Sequence, residues 1–241
     1  VLNGFDFKGD SEYLGYLMAR FYAPLLNAID ITFFNQLILD ISYLPLFLGF
    51  AEDFEGFYQA TVNFGAKVVG VKFESLEETS ESTLLKVDIS CGESDWQLSS
   101  LVQIFSSALP PSCSLELLYI VENPYRPTHW QDDMDSESSQ WLELLRPLTP
   151  LEELHLSWGV VPRVASALQG LADDEVMEVL PALQFLVIQE FRLSESRLVQ
   201  EAIERFLASR QACGHSVAFQ DRDLDIDSES ERGTESDDDS D

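Results

Sequence analysis

An α/β solenoid is the fold this sequence predicts, and three observations predict it. Five segments share one apolar pattern, L-x-x-L-x-L or its Ile/Val variants, with polar residues between. They start at positions 26, 84, 115, 151 and 183, so the later starts lie 31, 36 and 32 residues apart. Helix-period stretches fall between them. A unit of about 20–45 residues that repeats strand and helix buries its apolar face only by stacking on its neighbours. The expected form is a leucine-rich-repeat-like horseshoe over residues 1–220, followed by a disordered acidic tail over 221–241.

The strands come first in the argument. Leu26, Ile29 and Ile31 fit in LNAIDIT, and Leu84, Val87 and Ile89 in LLKVDIS. Leu115, Leu118 and Ile120 fit in LELLYIV, Leu151, Leu154 and Leu156 in LEELHLSWG, and Leu183, Leu186 and Ile188 in LQFLVIQ. The first step, 58 residues, is nearly two units long, and ATVNFG and AKVVGVKF inside it read as degenerate strands. A conventional open α/β sheet would also alternate strands with helices. The recurrence of the same three apolar positions favours the repeat.

The helices follow from the intervening periodicity. Trp96 to Leu109 sets Leu98, Leu101, Val102 and Phe105 on one face, with Ser94 and Gln97 spaced as a capping box. Gln140 to Leu145 is a shorter helix stopped by Pro147, and Pro162 to Leu180 holds one or two more before Pro181. Arg197 to Gln211 turns Val199, Ile203, Phe206 and Leu207 inward and Glu201, Glu204 and Arg205 outward.

Side chains alternate across a strand, so the residues between the core leucines line the opposite face. That ladder comprises Ala28, Asp30 and Thr32; Lys86, Asp88 and Ser90; Tyr119 and Val121; Glu153, His155 and Ser157; Val187 and Gln189. The mixture suits protein recognition, and it contains no paired carboxylates or base-activated nucleophile. Leu154 and Leu186 are expected in the core, His155 and Tyr119 on the binding face. A second stretch, NPYRPTHWQDD, offers Tyr125, His129 and Trp130 as interface aromatics. His129 with Asp132 and Asp133 lacks a further His or Cys to complete a ligand set, so no metal is expected there. Trp130 is expected to fasten the loop to the helix that carries Trp141.

Composition narrows the function. The chain carries a net charge of −29 with only 14 Lys and Arg, which disfavours nucleic acid. From Asp221 the sequence DRDLDIDSESERGTESDDDSD has almost no apolar content. Ser228, Thr234 and Ser236 each stand three residues before an acid, which makes them phosphorylation candidates for acidophilic kinases. Cys91, Cys113 and Cys213 are too scattered for a disulfide framework or zinc site, and a reducing intracellular compartment, cytoplasm or nucleus, is expected. No apolar run reaches the length of a membrane span. Phosphate-loop, dinucleotide, zinc-protease and nucleophile-elbow motifs are absent, so neither enzyme activity nor a cofactor is expected.

Several phrases carry a family resemblance: ITFFNQLILDI (31–41), DWQLSSLVQIFSSALP (95–110), RPTHWQDD with SSQWLELLRPLT (126–149) and EVLPALQFLVIQE (178–190). Over about Leu14 to Phe219 the chain resembles the expanded F-box protein family of mushroom-forming fungi. The resemblance implies a degenerate leucine-rich-repeat region that receives a protein substrate for a cullin–RING ubiquitin ligase. In that family an N-terminal F-box docks on the Skp-type adaptor. No F-box is present between Val1 and Asp241, and the start at Val1 suggests that it lies upstream. Adaptor and cullin contacts are therefore not expected from any residue of this chain. The alternative is a stand-alone interaction or scaffold repeat protein.

Overall fold

The computed structural model describes residues 3–18, 20, 26–34, 41, 43–48, 56–75, 84–91, 94–108, 114–128, 134–171, 175–189 and 196–222. His129, Trp130, Asp132, Asp133, Ser228, Thr234 and Ser236 lie outside them. Among the described residues, nine strands form one sheet: β1 (Gly4–Gly9), β2 (Ala28–Phe33), β3 (Phe57–Gly65), β4 (Val68–Ser75), β5 (Leu84–Ser90), β6 (Leu117–Glu122), β7 (Glu153–Ser157), β8 (Phe185–Gln189) and β9 (Ala218–Arg222). The helices are α1 (Ser11–Met18), α2 (Leu44–Leu48), α3 (Ser94–Gln103, continued by a π-helical turn Ile104–Ala108), α4 (Met134–Leu145), α5 (Val161–Gln169) and α6 (Arg197–Ala212).

The spatial order is β1-β2-β5-β4-β3-β6-β7-β8-β9. All strands run parallel except β4, which pairs antiparallel with both β3 and β5. The degenerate pair is thus no pair of successive parallel repeat strands. Only Ala66 and Lys67 separate β3 from β4, and a parallel connection needs a crossover of a dozen or more residues. A two-residue link permits only a hairpin. The hairpin adds a reversed strand in mid-sheet and sends β3, rather than β5, to pair with β6.

Register confirms the alternation and adjusts one alignment. Ile29, Ile31 and Phe33 stand opposite Leu85, Val87 and Ile89, so the segment at 84 is displaced by two residues from the expected match with 26. An even displacement keeps every side chain on its face. Beyond it Leu118, Leu154 and Leu186 align, as do Ile120, Leu156 and Ile188. These residues and Val62, Phe64, Val71 and Phe73 form one buried layer with Leu101, Trp141, Leu144, Val164, Ile203 and Phe206 from the helices. Helices α3 to α6 pack successively along this face, and the polar ladder lies on the other face of the sheet.

One helix detail departs from expectation, and a second was not foreseen. The Gln97 amide does not close a capping box: it is buried and donates to the carbonyls of Gly65 and Cys91, both at 2.9 Å. It therefore ties the hairpin's end to the entry of α3. Arg210, in the last turn of α6, is fully buried and donates to the carbonyls of Pro181 (3.1 Å) and Leu183 (3.3 Å). Burial lowers its pKa below the ordinary arginine value. Its guanidinium fills the turn before β8, where Leu180 adopts a left-handed φ of 53°. Strand β9 continues through Asp221 and Arg222, two residues past the compositional start of the tail.

Candidate functional site

The open face is ordered in rows across the strands. One row reads Asp6, Asp30, Lys86, Lys72, Thr61, Tyr119, His155, Val187, Gln220; the next reads Lys8, Thr32, Asp88, Gly70, Asn63, Val121, Ser157, Gln189, Arg222. The ladder residues named from the sequence are thereby brought together, with Lys72, Thr61, Asn63 and Gly70 from the unforeseen hairpin inserted among them. Ser90 stands opposite Val68 at the row beyond.

The two halves of this face differ. On the β1–β5 side the charges pair: Lys86 reaches Asp88 at 2.6 Å and Asp30 at 3.5 Å, and Lys72 reaches Glu74 at 2.7 Å. The hydrogen bond to Asp88 is the main reason the Lys86 ammonium titrates above the ordinary lysine range; Asp30 adds to it and partial burial opposes it. Gly70 makes room for this arrangement, since a Cβ there would strike the Asp88 carboxylate. On the β6–β8 side the face closes up. His155 and Ser157 are buried, each 6% exposed, unlike the outward binding residues expected. Tyr119 packs on the His155 ring with centroids 4.4 Å apart. Glu153 lies 3.3 Å from His155 Nε2, and Gln189 lies 3.5 Å from Nδ1. The Ser157 hydroxyl accepts from the Glu122 N–H at 2.9 Å, while the Glu122 carboxylate accepts from the Thr128 N–H at 2.8 Å. Ser157 thus holds the loop after β6 and is committed to structure.

The C-terminal edge of the parallel strands carries a feature that sequence reasoning missed. Phe34 follows β2, Trp96 follows β5, Tyr125 follows β6 and Trp158 follows β7; all are exposed, Tyr125 at 92% and Trp158 at 52%. Val68 joins them, because β4 runs backwards and starts at this edge. The signal was an aromatic residue shortly past four of the runs: Phe34 and Trp158 directly follow β2 and β7, Tyr125 stands in the loop after β6, and Trp96 lies in the first turn of α3 after β5. It becomes one rim only when the strands are aligned. Tyr125 was expected as an interface aromatic.

A depression of about 800 Å³ opens between the β3–β4 turn and the loop after β6, lined by Asn63, Lys67, Val68, Asp88, Tyr125 and Arg126 among others. Its two walls are bonded together: the Ala66 N–H donates to the Arg126 carbonyl at 3.0 Å and the Asn123 N–H to Phe64 at 2.8 Å. The Asn123 side chain accepts from the backbone N–H groups of Tyr125 and Arg126 and fixes the loop. Lys67 and Arg126 are exposed and form no ion pair among the described residues. All four lysines of this acidic chain, Lys8, Lys67, Lys72 and Lys86, therefore lie on the open face or its rim.

Among the described residues no three His, Cys, Asp or Glu side chains gather as a metal-ligand set. Among them, too, no helix is long and apolar enough to cross a membrane. The family models, the curated proteins and the solved structures searched contain no match to this chain.

Proposed function

We propose that this chain is the substrate-recognition region of an F-box-like protein in a cullin–RING ubiquitin ligase, with the adaptor bound through an F-box outside these residues. The observation that carries protein recognition is the rim of Phe34, Trp96, Tyr125 and Trp158 along one edge of an open polar sheet face. Exposed aromatics beside polar groups are the composition of interface anchors. The ligase assignment rests on the resemblance of phrases such as RPTHWQDD and EVLPALQFLVIQE to the mushroom F-box family. The succession β6-β7-β8-β9, each pair parallel, supports a repeat-like stack for this half. In this reading the chain supplies position and the ligase supplies chemistry, because holding reactants together is itself a large part of catalysis.

The test is affinity purification from a mushroom extract using the gene extended to its own start. Adaptor and cullin should be recovered, and should disappear when the upstream segment is deleted. A Tyr125→Ala/Trp158→Ala double variant should melt like the parent yet lose the remaining partner. Failure to recover the adaptor removes ubiquitin and leaves the scaffold reading. Unchanged partner recovery by the double variant removes the rim.

A further inference from the structure

We infer that the depression at Lys67 and Arg126 is a docking site for the chain's own acidic segment, residues 223–241. Charge is the first argument. These 19 residues hold ten carboxylates and one arginine, whereas Lys67 and Arg126 are cations without an ion-pair partner among the described residues. Lys8, Lys72 and Lys86 are already paired, so among the described residues Lys67 and Arg126 are the lysine and arginine that bring uncompensated positive charge to this depression.

Direction is the second argument. Strand β9 is parallel to its neighbours and ends at Arg222, so residue 223 leaves the sheet at its C-terminal edge, where the depression opens. Arg222 stands in the same row as Asn63 of the lining, four strands away. Four strand spacings amount to roughly 19 Å, and 19 extended residues span roughly 60 Å. The segment reaches the depression without crossing the sheet. Leu224 and Ile226 give it apolar contacts for Val68 and Tyr125 beside the charges.

Docking of this kind makes the segment an internal competitor for any acidic partner stretch at the same rim. The inference does not depend on the ligase reading. It is tested on the full chain by zero-length carbodiimide coupling followed by peptide mass spectrometry. Lys67 should couple to carboxylates within 223–241, and mixing ¹⁴N and ¹⁵N protein should give links within one chain only. Raising the salt to about 0.5 M should reduce the yield at least about fivefold, since exposed charges are screened. Arg126→Glu, checked by its melt, should do the same. Lys8 on β1, whose side chain is 61% exposed, serves as the reference amine. Equal coupling of Lys8 and Lys67, mixed-isotope links at the statistical proportion of a between-chain reaction, or indifference to Arg126→Glu would overturn the inference.

Discussion

Lys72 and Lys86 stand directly opposite each other on the antiparallel β4–β5 pair, and each is held by a carboxylate two residues along its own strand, Glu74 and Asp88. Two ammonium groups facing across a sheet repel each other unless each is neutralised locally. The pairing across β4 is therefore conditional on those two acids.

Asp88→Asn should expose that repulsion. With Lys86 about two-fifths exposed, the loss is modest, about 1 kcal/mol at low ionic strength and less at high salt. Urea midpoints at two salt concentrations check it. The pH dependence has a fixed sign: the folded-state pKa of Lys86 is raised, so its contribution is complete below the unfolded lysine pKa and is lost as pH rises through the higher folded value. Asp88→Asn should flatten the alkaline limb of the stability curve; an unchanged limb would refute the role given to this pair.

Arg210→Met should cost about 3–5 kcal/mol, because it strands the carbonyls of Pro181 and Leu183 in a buried turn. Arg210→Lys should recover little, since a lysine lacks the planar fork that reaches both. Denaturant unfolding of the two variants measures this, and a fully stable lysine variant would contradict it.

Ser157→Ala removes the acceptor of the buried Glu122 N–H and should destabilise by about 1–3 kcal/mol. Hydrogen exchange should quicken first at Glu122 and Thr128, the two amides of that network. Equal exchange in parent and variant would show that Ser157 does not hold the loop.

Leu154→Asp and Leu186→Asp should unfold the domain, each placing an unpaired charge in the core, at a cost of several kcal/mol. His155→Ala belongs with the destabilising set, contrary to its expected role as an outward binding residue. It is buried and stacked on Tyr119, so about 1–2 kcal/mol should be lost. Thermal melts of the three variants give the ranking.

What the sequence determined by itself was everything set by local periodicity. The alternation in LELLYIV, LEELHLSWG and LQFLVIQ placed Leu118, Leu154 and Leu186 in the core and Tyr119 and Glu153 on the other face, because the side-chain period of a strand is two. The stripe Val199, Ile203, Phe206 placed α6 for the same kind of reason. Tertiary pairing decided what periodicity cannot carry. The two-residue link at Ala66–Lys67 turned two expected repeat strands into a hairpin, and strand order then changed around it. Register across strands far apart in sequence made a rim of Phe34, Trp96, Tyr125 and Trp158 and gathered the lysines on one face. Burial of His155, Ser157 and Arg210 depends on which neighbours those pairings bring, and neighbours are a property of the packed sheet rather than of the segment.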